Sequence, residues 1–560
     1  MRSVLKSTGG RGRRPFSRAR SSLLAATVVG ALVALTACSA GSADSSSSNA
    51  STIVVVIPDQ ATQLSYDVGW TASTDFAEMQ GLINANLIRK PYAATDDPAI
   101  VKQDLYNFEG VLAESYDLSA DNTTVTFHLR QGVMSEHGNE FTANDVLWSY
   151  ERKFGSDTSI VKYVTAPALT DPDKQFTVID KYTISLTVPS SGSMFTMLSV
   201  LADVTGQLYD STYLKENATP DDPWATKWST GRTDFMMGAY RVESMVEGSE
   251  TVLVANPGYA LGTPKITKII RRVVADAGSR VNALQSGDAD VALGLRSSDM
   301  ATLASNTKFI VPDLAANNFY FLSLTTTVAP FDNVAVRQAM AYAIDYDQII
   351  SQVFAGRATN DSTFLWSDAP GYDGTDLPRY SYDPAKAESM LAAAGITTPV
   401  SFTLTVPTSE STLQDAAVSI QSSAAAAGFS VDIESIPYAQ FAEKTQKGEA
   451  QANLSPGSAF SLSPSYELSL FTTPGASTNT SQWSNQEFQD TVQAGIDSGD
   501  ALTPTAGAFW NKAEQIWLGQ DVPMIVVAKS KAVSAVNGEK LTGWTWRTDN
   551  SIYYSVMTFK

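Results

Sequence analysis

The stretch TVTFHLRQGVMSEHGNEFTANDVLWSYER, residues 124–152, combines one strand signal and one helix signal in a single short segment. From Val125 to Leu129 every second residue is apolar, which predicts a half-buried β-strand. Thr142 and Asp145 have the spacing of a capping box and precede the apolar residues of an amphipathic helix. The segment therefore predicts a protein that mixes strands and helices.

The same alternation of strand and helix signals continues along the chain. Residues 52–57, TIVVVI, form an unbroken apolar run that predicts a strand buried on both faces. Residues 183–188 alternate as a half-buried strand does. Asp383 and Pro384 supply an N-cap and a first-turn proline for a helix that ends before Gly395. Interleaved elements of this kind indicate an α/β or α+β protein.

Composition limits the classes of function. The 560 residues are 43% hydrophobic and 17% charged, which is typical of a folded globular protein. The net charge of −19 argues against nucleic acid as a partner, because phosphate binding needs a basic surface. A single cysteine and two histidines exclude an intramolecular disulfide and a cysteine-ligated metal cluster. We expect neither a metal nor a cofactor.

The N-terminus has the features of an export signal. Residues 1–20 contain seven basic residues and no acidic residue. Residues 23–37 then form an uncharged apolar run, and the whole segment 1–37 is typical of a signal peptide. This run is shorter than the roughly 20 residues that a membrane span needs. The sequence LTAC, ending at Cys38, resembles a bacterial lipobox, which implies a lipid on Cys38. The pair Arg13-Arg14 leaves open whether export uses a twin-arginine signal.

Removal of residues 1–37 changes the net charge from −19 to −26, because seven basic residues and no acidic residue are lost. Residues 38–51 are rich in serine and predict a flexible tether. We therefore expect the lipid to hold the protein on the extracellular face of the cell membrane.

Several segments, taken in order, resemble the extracellular solute-binding proteins of peptide-type ABC importers, known as solute-binding family 5. The resemblance covers most of residues 52–560. The matching motifs are TFHLRQGV (126–133), FTANDV (141–146), YER (150–152), MGAY (237–240), NPGY (256–259), RVNALQSGDAD (280–290), PFDNVAVRQA (330–339), AID (343–345), YDPAKA (382–387) and AG (394–395).

The resemblance implies an α/β, two-lobed periplasmic-binding-protein-like fold of type II, with an extra subdomain inserted in the N-terminal lobe. Two strands would cross between the lobes, near residues 317–322 and 523–527. The implied organisation is lobe I at 52–88, inserted subdomain at 89–205, lobe I again at 206–316, lobe II at 317–526 and a return to lobe I at 527–560.

The resemblance also implies residues that contact a ligand between the lobes. They are Trp70, Asn318, Tyr320, Trp366 and Phe460. Peptide-binding relatives carry a tryptophan and an acid just before the position of Pro464, and the acid pairs with the peptide ammonium group. This chain has GSAFS at residues 457–461 and lacks both. Either a free peptide N-terminus is not recognised, or another acid supplies the charge.

Three functions remain open on these observations. The first is a lipid-anchored binding protein that captures oligopeptides and delivers them to the permease and ATPase subunits of an ABC importer, acting as a monomer. The second is the same architecture with an oligosaccharide or another neutral solute as ligand. The third is a surface glycoside hydrolase, since 58 acidic residues offer many carboxylate pairs. No Gly-x-Ser-x-Gly, His-Glu-x-x-His or phosphate-loop motif occurs in the sequence, so we expect no catalytic residues.

Overall fold

The computed structural model describes residues 51–560 except 62–63, 68–73, 158, 160, 166–167, 362, 367, 460 and 548–550. The export signal, Cys38 and the tether up to residue 50 lie outside the described residues. Two of the predicted ligand-binding residues, Trp70 and Phe460, also lie outside them.

The strands of the described part are short and spread over the whole chain. They are β1 (Thr52–Ile57), β2 (Ile88–Arg89), β3 (Tyr92–Ala94), β4 (Ile100–Gln103), β5 (Glu109–Gly110), β6 (Ala113–Leu118), β7 (Thr124–Leu129), β8 (Phe176–Asp180), β9 (Thr183–Thr187), β10 (Tyr240–Val246), β11 (Glu250–Ala255), β12 (Lys268–Val273), β13 (Val291–Ala292), β14 (Phe309–Ile310), β15 (Ala315–Leu324), β16 (Ala358–Thr359), β17 (Val400–Pro407), β18 (Phe429–Ile436), β19 (Ala452–Gly457), β20 (Met524–Lys531), β21 (Ala535–Asn537), β22 (Leu541–Thr542), β23 (Trp544–Trp546) and β24 (Thr558–Phe559).

The helices lie between these strands. They are α1 (Thr74–Ile83), α2 (Ala143–Gly155), α3 (Val161–Thr165), α4 (Pro172–Gln175), α5 (Met194–Ala202), α6 (Ser211–Glu216), α7 (Ala277–Ser286), α8 (Ser297–Ala304), α9 (Val334–Tyr342), α10 (Tyr346–Gln348), α11 (Pro384–Ala393), α12 (Ser411–Ala425), α13 (Tyr438–Gln446), α14 (Pro464–Leu470), α15 (Gln486–Asp497) and α16 (Pro504–Glu514). Short 3-10 turns cover Ser191–Ser193 and Val204–Gly206, and π-helical turns cover Ile349–Val353 and Gln515–Asp521.

The first large sheet has the strand order β10-β11-β12-β1-β13-β21-β14. The strand predicted from residues 52–57 is β1, which pairs in parallel with β12 on one side and β13 on the other. Val55 and Val56 point to opposite faces and are both buried, so burial on both faces is confirmed for this part of the strand, while Val54 is half-buried. An unbroken apolar run fits this central position because neither face meets water.

The second large sheet has the order β16-β20-β15-β19-β17-β18. Its central strands β15 and β20 pair with each other in antiparallel orientation. The helix predicted after Asp383 is α11, and the Asp383 carboxylate accepts a hydrogen bond from the Lys386 backbone N–H at 2.9 Å. Gly395 follows that helix with a φ of +70°, a left-handed conformation that suits glycine.

A smaller sheet, β6-β7-β9-β8, contains the segment that opened the sequence analysis. Strand β7 alternates between buried and half-buried residues, as predicted. Helix α2 begins after Thr142, whose backbone N–H donates to the Asp145 carboxylate at 2.7 Å, so the capping box is confirmed. Both predictions depended on local spacing alone.

The chain passes twice between the two large sheets. The first passage lies between β14 and β15, and the second lies between β20 and β21. Below, "first half" denotes the described residues of 51–314 and 532–560, and "second half" denotes those of 315–531. The lobe limits inferred from the sequence stay predictions; strand β20 continues in the second sheet to Lys531. Within the described residues, none of the helices combines the length and apolar character needed to cross a bilayer.

Candidate functional site

The two halves meet along a buried layer, which we call the interlobe layer. It contains Lys90, Tyr106, α5, Asp203 and Trp546 from the first half, and Glu514, Lys529 and the described residues among 361–368 and 459–470 from the second half. Tyr466 of the second half belongs to the same buried apolar cluster as Ile53 of the first sheet. Phe195 of α5 belongs in turn to the cluster around Trp510 of the second half. The halves therefore share apolar cores along this layer.

Polar contacts also cross the layer. The hydroxyl oxygen of Thr196 lies 2.5 Å from that of Ser463 and 3.1 Å from that of Ser465. The Tyr106 hydroxyl donates to Asp368 at 3.3 Å. Such contacts exist only while the halves are together, so they favour the closed arrangement over an open one.

An aromatic contact crosses the layer as well. The rings of Trp366 and Trp546 meet edge to face, with centroids 5.7 Å apart. Trp366 packs against the apolar core of the first half, although it comes from the second half. It is the last residue of a loop that hydrogen bonds hold to the rest of the second half.

That loop, residues 363–366, is bound by the side chain of Glu514 and also by that of Lys529, which is described below. The buried Glu514 carboxylate accepts hydrogen bonds from the backbone N–H groups of Phe364 at 2.7 Å and Leu365 at 3.2 Å. The hydroxyls of Thr363 and Tyr372 donate to the same carboxylate. Burial raises the pKa of Glu514, while these donated hydrogen bonds lower it. Glu514 is thus a fully partnered acid that positions the loop carrying Trp366.

Two lysines in the layer have partners of their own. Lys90 donates to Asp203 at 2.7 Å, and these side chains are 1% and 3% exposed. Lys529 donates to Asp361 at 3.3 Å and to the Leu365 carbonyl at 3.2 Å. Both ammonium groups are therefore compensated within the protein.

Glu467 of α14 differs from these groups. The residue is 3% exposed, and no described residue donates a hydrogen bond to its carboxylate. Burial raises its pKa well above the usual 4.5, because the charged form loses its hydration. Lys529 and Lys90 act in the opposite direction, while the charges of Glu514 and Asp368 raise the pKa further. The layer thus contains one acid without a hydrogen-bonding partner among the described residues.

Further buried polar atoms of the layer lack partners among the described residues. They are the Ser461 hydroxyl, the Tyr466 hydroxyl, the Trp546 indole N–H and one carboxylate oxygen of Asp361. A buried polar group without a hydrogen bond costs roughly 1–3 kcal/mol. Similar atoms occur elsewhere among the described residues, as at Glu78 and Arg271, but those of the layer lie where a molecule bound between the halves could bond to them.

Comparison with known proteins gives this layer a family context. The family model described as "Bacterial extracellular solute-binding proteins, family 5 Middle" matches residues 107–479. The chain belongs to this family. The resemblance inferred from the sequence motifs is therefore confirmed.

Among curated relatives, this solute-binding protein is 27% identical to Heme-binding protein A of Haemophilus influenzae over 440 residues, covering 75% of this chain and 77% of the relative. It is 28% identical to Glutathione-binding protein GsiB of Pectobacterium atrosepticum over 482 residues, covering 81% and 88%. The solved structure of the oligopeptide-binding protein AppA of Bacillus subtilis in complex with a nonapeptide superposes with a TM-score of 0.73. That match has 18% identity and covers 91% of this chain and 99% of the other, so it establishes the fold. The predicted type II fold of mixed α and β content is confirmed.

The described ligand-binding candidates of this family member lie in two places. Trp366 is half-buried in the interlobe layer. Tyr320 lies elsewhere on β15: its ring is 4.9 Å from that of Phe354, and burial together with the charge of Glu410 raises its pKa to about 12. Asn318 is half-buried on the same strand. Their contacts with ligand stay predictions, as do those of Trp70 and Phe460.

Glu410 is an acid of the second half whose charge acts on Tyr320. Burial raises the pKa of Glu410, and the charge of Asp59 in the first half raises it further. Tyr320 packs against the core of the second half, whereas Trp366 packs against that of the first half.

Sequence reasoning missed Glu467, Lys529, Lys90 and Trp546. The one signal for Glu467 is that it is the only charged residue in α14, PSYELSL, which follows the motif without the expected acid. Thr196 of α5, which contacts Ser463 and Ser465 beside this helix, lies more than 250 residues earlier in the chain. No local pattern reports such a contact.

Proposed function

We propose that this chain is a lipid-anchored extracellular binding protein that captures oligopeptides between its two halves and delivers them to an ABC importer. The lipid would be carried by Cys38, and the importer would supply permease and ATPase subunits. The observation that carries the proposal is the interlobe layer, in which polar groups from both halves lie buried without partners among the described residues. The nonapeptide complex of the structurally similar AppA protein supports a peptide as the ligand class.

The function follows from a difference in ligand contacts between the open and the closed state of the protein. A ligand that bonds to both halves at once gains contacts only in the closed state, and therefore shifts the open–closed equilibrium toward it. Binding at Ser461 and Tyr466 on one side and at Trp546 on the other would do this. An extended peptide suits such a site, because its backbone supplies donors and acceptors regardless of side-chain sequence.

The function needs no covalent step. Glu514 is engaged by four donors that hold the loop of Trp366, which leaves it poorly placed to transfer protons to a substrate. We therefore propose a binding protein rather than an enzyme. A monomer suffices, because the layer is built within one chain.

A thermal-shift screen tests the ligand class. The panel pairs pools of di- to octapeptides with cello-, xylo-, malto- and galacto-oligosaccharides, and a chromogenic glycoside is added as a hydrolase assay. A peptide at 100 times its Kd adds about 2.7 kcal/mol of stability, or very roughly 2 °C or more for a chain of this size. We expect shifts with peptides. Shifts with sugars alone would establish a neutral-solute carrier instead, and turnover of the glycoside would establish a hydrolase.

The anchoring proposal has its own test. Cys38→Ser should release the mature protein from the membrane fraction into the medium, while the wild-type chain stays with the membrane. A Cys38→Ser protein that remains membrane-bound would overturn the lipid anchor without affecting the ligand class.

A further inference from the structure

The first half contains a polar cavity of about 40 Å³, and every described residue that lines it comes from that half. Its walls are α1 with the residues that follow it, the strands β2, β3 and β4, and residues that follow β23. A water molecule needs roughly 10–15 Å³ of such space, so the cavity has room for a group of about four heavy atoms. The capture of a ligand between the halves leaves this cavity without a role.

The charged groups of the cavity all have the same sign. Arg89 and Arg547 line it, and among the described residues none of those that line it is an acid. Arg89 donates its Nε–H to Glu109 at 2.6 Å, and Glu109 lies outside the cavity wall. The Arg547 residue is 7% exposed. A concave surface with guanidinium groups and no acid attracts anions.

Aromatic rings hold both guanidinium groups in position. The Arg89 guanidinium lies 5.4 Å from the ring centroid of Tyr92 and 5.9 Å from that of Tyr553, and the Arg547 guanidinium lies 5.3 Å from the Tyr553 ring. Tyr92 and Tyr553 are stacked with centroids 5.6 Å apart, and the Tyr553 hydroxyl oxygen is 2.8 Å from that of Tyr259. The two cations are therefore oriented before any ligand arrives, which lowers the cost of binding one.

Buried amide groups of the cavity wall lack partners among the described residues. They are Nε2 of Gln80, Nε2 of Gln207 and Oδ1 of Asn84, in residues that are 1%, 1% and 6% exposed. Asn84 donates its Nδ2–H to Gln80 Oε1 at 2.9 Å. Exchanging oxygen and nitrogen in both of these amides would again leave one N–H group and one carbonyl oxygen unpaired. A buried N–H group without an acceptor is costly, so both glutamines favour an occupant that accepts hydrogen bonds.

The size and the donors of the cavity favour a carboxylate among anions. The planar guanidinium group matches a planar carboxylate and can donate two parallel hydrogen bonds to it. A carboxylate with one methyl group has four heavy atoms, which fits the volume, whereas a tetrahedral phosphate is larger and carries more charge. The Asn84 oxygen could accept a hydrogen bond from a water molecule beside the anion.

We propose that this cavity of the first half is a second binding site, which takes a small carboxylate between Arg89, Arg547 and the amide groups of Gln80 and Gln207. The proposal goes beyond the capture of a peptide between the halves and does not depend on the ligand bound there. The cavity nevertheless borders the interlobe layer, because Asn86 donates to the Asp203 carbonyl at 2.6 Å.

The first test compares ligands of the wild-type protein. Acetate, acetamide and inorganic phosphate are titrated into the purified mature protein at constant ionic strength, and binding is followed by saturation-transfer NMR. Acetamide keeps the shape of acetate and removes its charge. We expect saturable acetate binding with a Kd of about 0.1–1 mM, since a ligand of four heavy atoms makes few contacts. Acetamide and phosphate should each bind at least ten times more weakly.

The second test places the site in the chain. Gly81 lies on α1, where an added Cβ would collide with the Arg547 guanidinium and force it to shift. Gly278→Ala on α7 is the matched control, because the atom closest to an added Cβ there is Asp276 Oδ1 at 3.4 Å, an ordinary contact. We expect G81A to lose at least tenfold in acetate affinity and G278A to bind as the wild type does. Arg89→Gln, which removes one charge without adding volume, should lose at least tenfold as well.

Several outcomes would overturn the proposal. Equal binding of acetate and acetamide, or no saturable acetate binding, would mean that the cavity selects no anion. Tighter binding of phosphate than of acetate would overturn the carboxylate class. Full acetate affinity in both G81A and R89Q would place acetate elsewhere. The ligand comparison needs no variant, so it decides the question even if G81A fails to fold. Each of these results leaves peptide capture between the halves standing.

Discussion

Two groups of buried charges in this molecule are built in opposite ways. In the core of the first half, the Arg271 guanidinium lies between Asp75 and Glu78, at 3.1 Å from a Glu78 oxygen, and all three side chains are buried. In the interlobe layer, Glu467 is equally buried but receives no hydrogen bond from the described residues. The first arrangement pairs two carboxylates with one cation inside the fold, whereas the carboxylate of the second has no ion pair among the described residues. The difference separates acids that form an ion pair within the core from an acid that forms none among the described residues.

The largest loss of stability should follow from removing Arg271 from its ion pairs with Asp75 and Glu78. Arg271→Ala would leave two buried carboxylates without their cation, which costs about 3–5 kcal/mol. Denaturant unfolding of the ligand-free protein measures this loss. The adjacent Arg272 offers a control, because its pair with Glu250 is half exposed and is worth about 0.2–1 kcal/mol. Similar losses in Arg271→Ala and Arg272→Ala would contradict the distinction drawn here.

The second effect concerns the partnered acid of the interlobe layer. Glu514→Gln would present an amide N–H₂ to donors that now share a carboxylate, which should cost about 1–3 kcal/mol. Loosening of residues 363–366 should also change the emission of Trp366. Equilibrium unfolding followed by fluorescence records both changes, with Glu487→Gln, at a surface ion pair with Lys512, as the control. An unchanged midpoint would mean that the loop does not depend on Glu514.

Glu467→Gln should raise the free energy of unfolding of the ligand-free protein, whereas the two substitutions above lower it. Removing a buried charge that lacks a partner should increase stability by about 0.5–2 kcal/mol at neutral pH. The sign depends on pH. The folded state holds the Glu467 proton more tightly than the unfolded state, so this group lowers stability as pH rises above 4.5. The stability advantage of E467Q should therefore grow as pH rises from 4.5 to 7, as measured by paired denaturant titrations. A constant difference would show that Glu467 does not titrate with a raised pKa.

The smallest effect should come from a single contact across the layer. Tyr106→Phe removes the hydrogen bond to Asp368 at 3.3 Å and should cost about 0.5–1.5 kcal/mol. Because this contact joins the halves, we expect Tyr106→Phe also to weaken peptide affinity modestly. Tyr116→Phe, on β6 in the small sheet, tests a tyrosine away from the layer and should leave affinity unchanged. Equal affinities for all three proteins would mean that Tyr106 does not favour closure.

Prediction from sequence succeeded where a few neighbouring residues decide the outcome. The alternation in β7, the capping box of α2 and the N-cap of α11 all depend on spacings of five residues or fewer. The family followed from motifs spread over residues 126–395, and the family match covers residues 107–479. The ligand-binding candidates carried over from the family stay predictions, because side-chain contacts in a cleft are made by segments far apart in the chain.

The sequence by itself determined the mixed fold, the family and the absence of the expected acid near Phe460, since each depends on the identity of residues at short spacing. Only the tertiary structure decided that Glu467 lies buried between the halves with no hydrogen-bond donor among the described residues. In the sequence Glu467 is an ordinary helix residue, and only the folded chain buries it near the charges of Lys90 and Lys529. The physical reason is that burial and charge compensation depend on the three-dimensional neighbours of a group, and those neighbours come from every part of the chain.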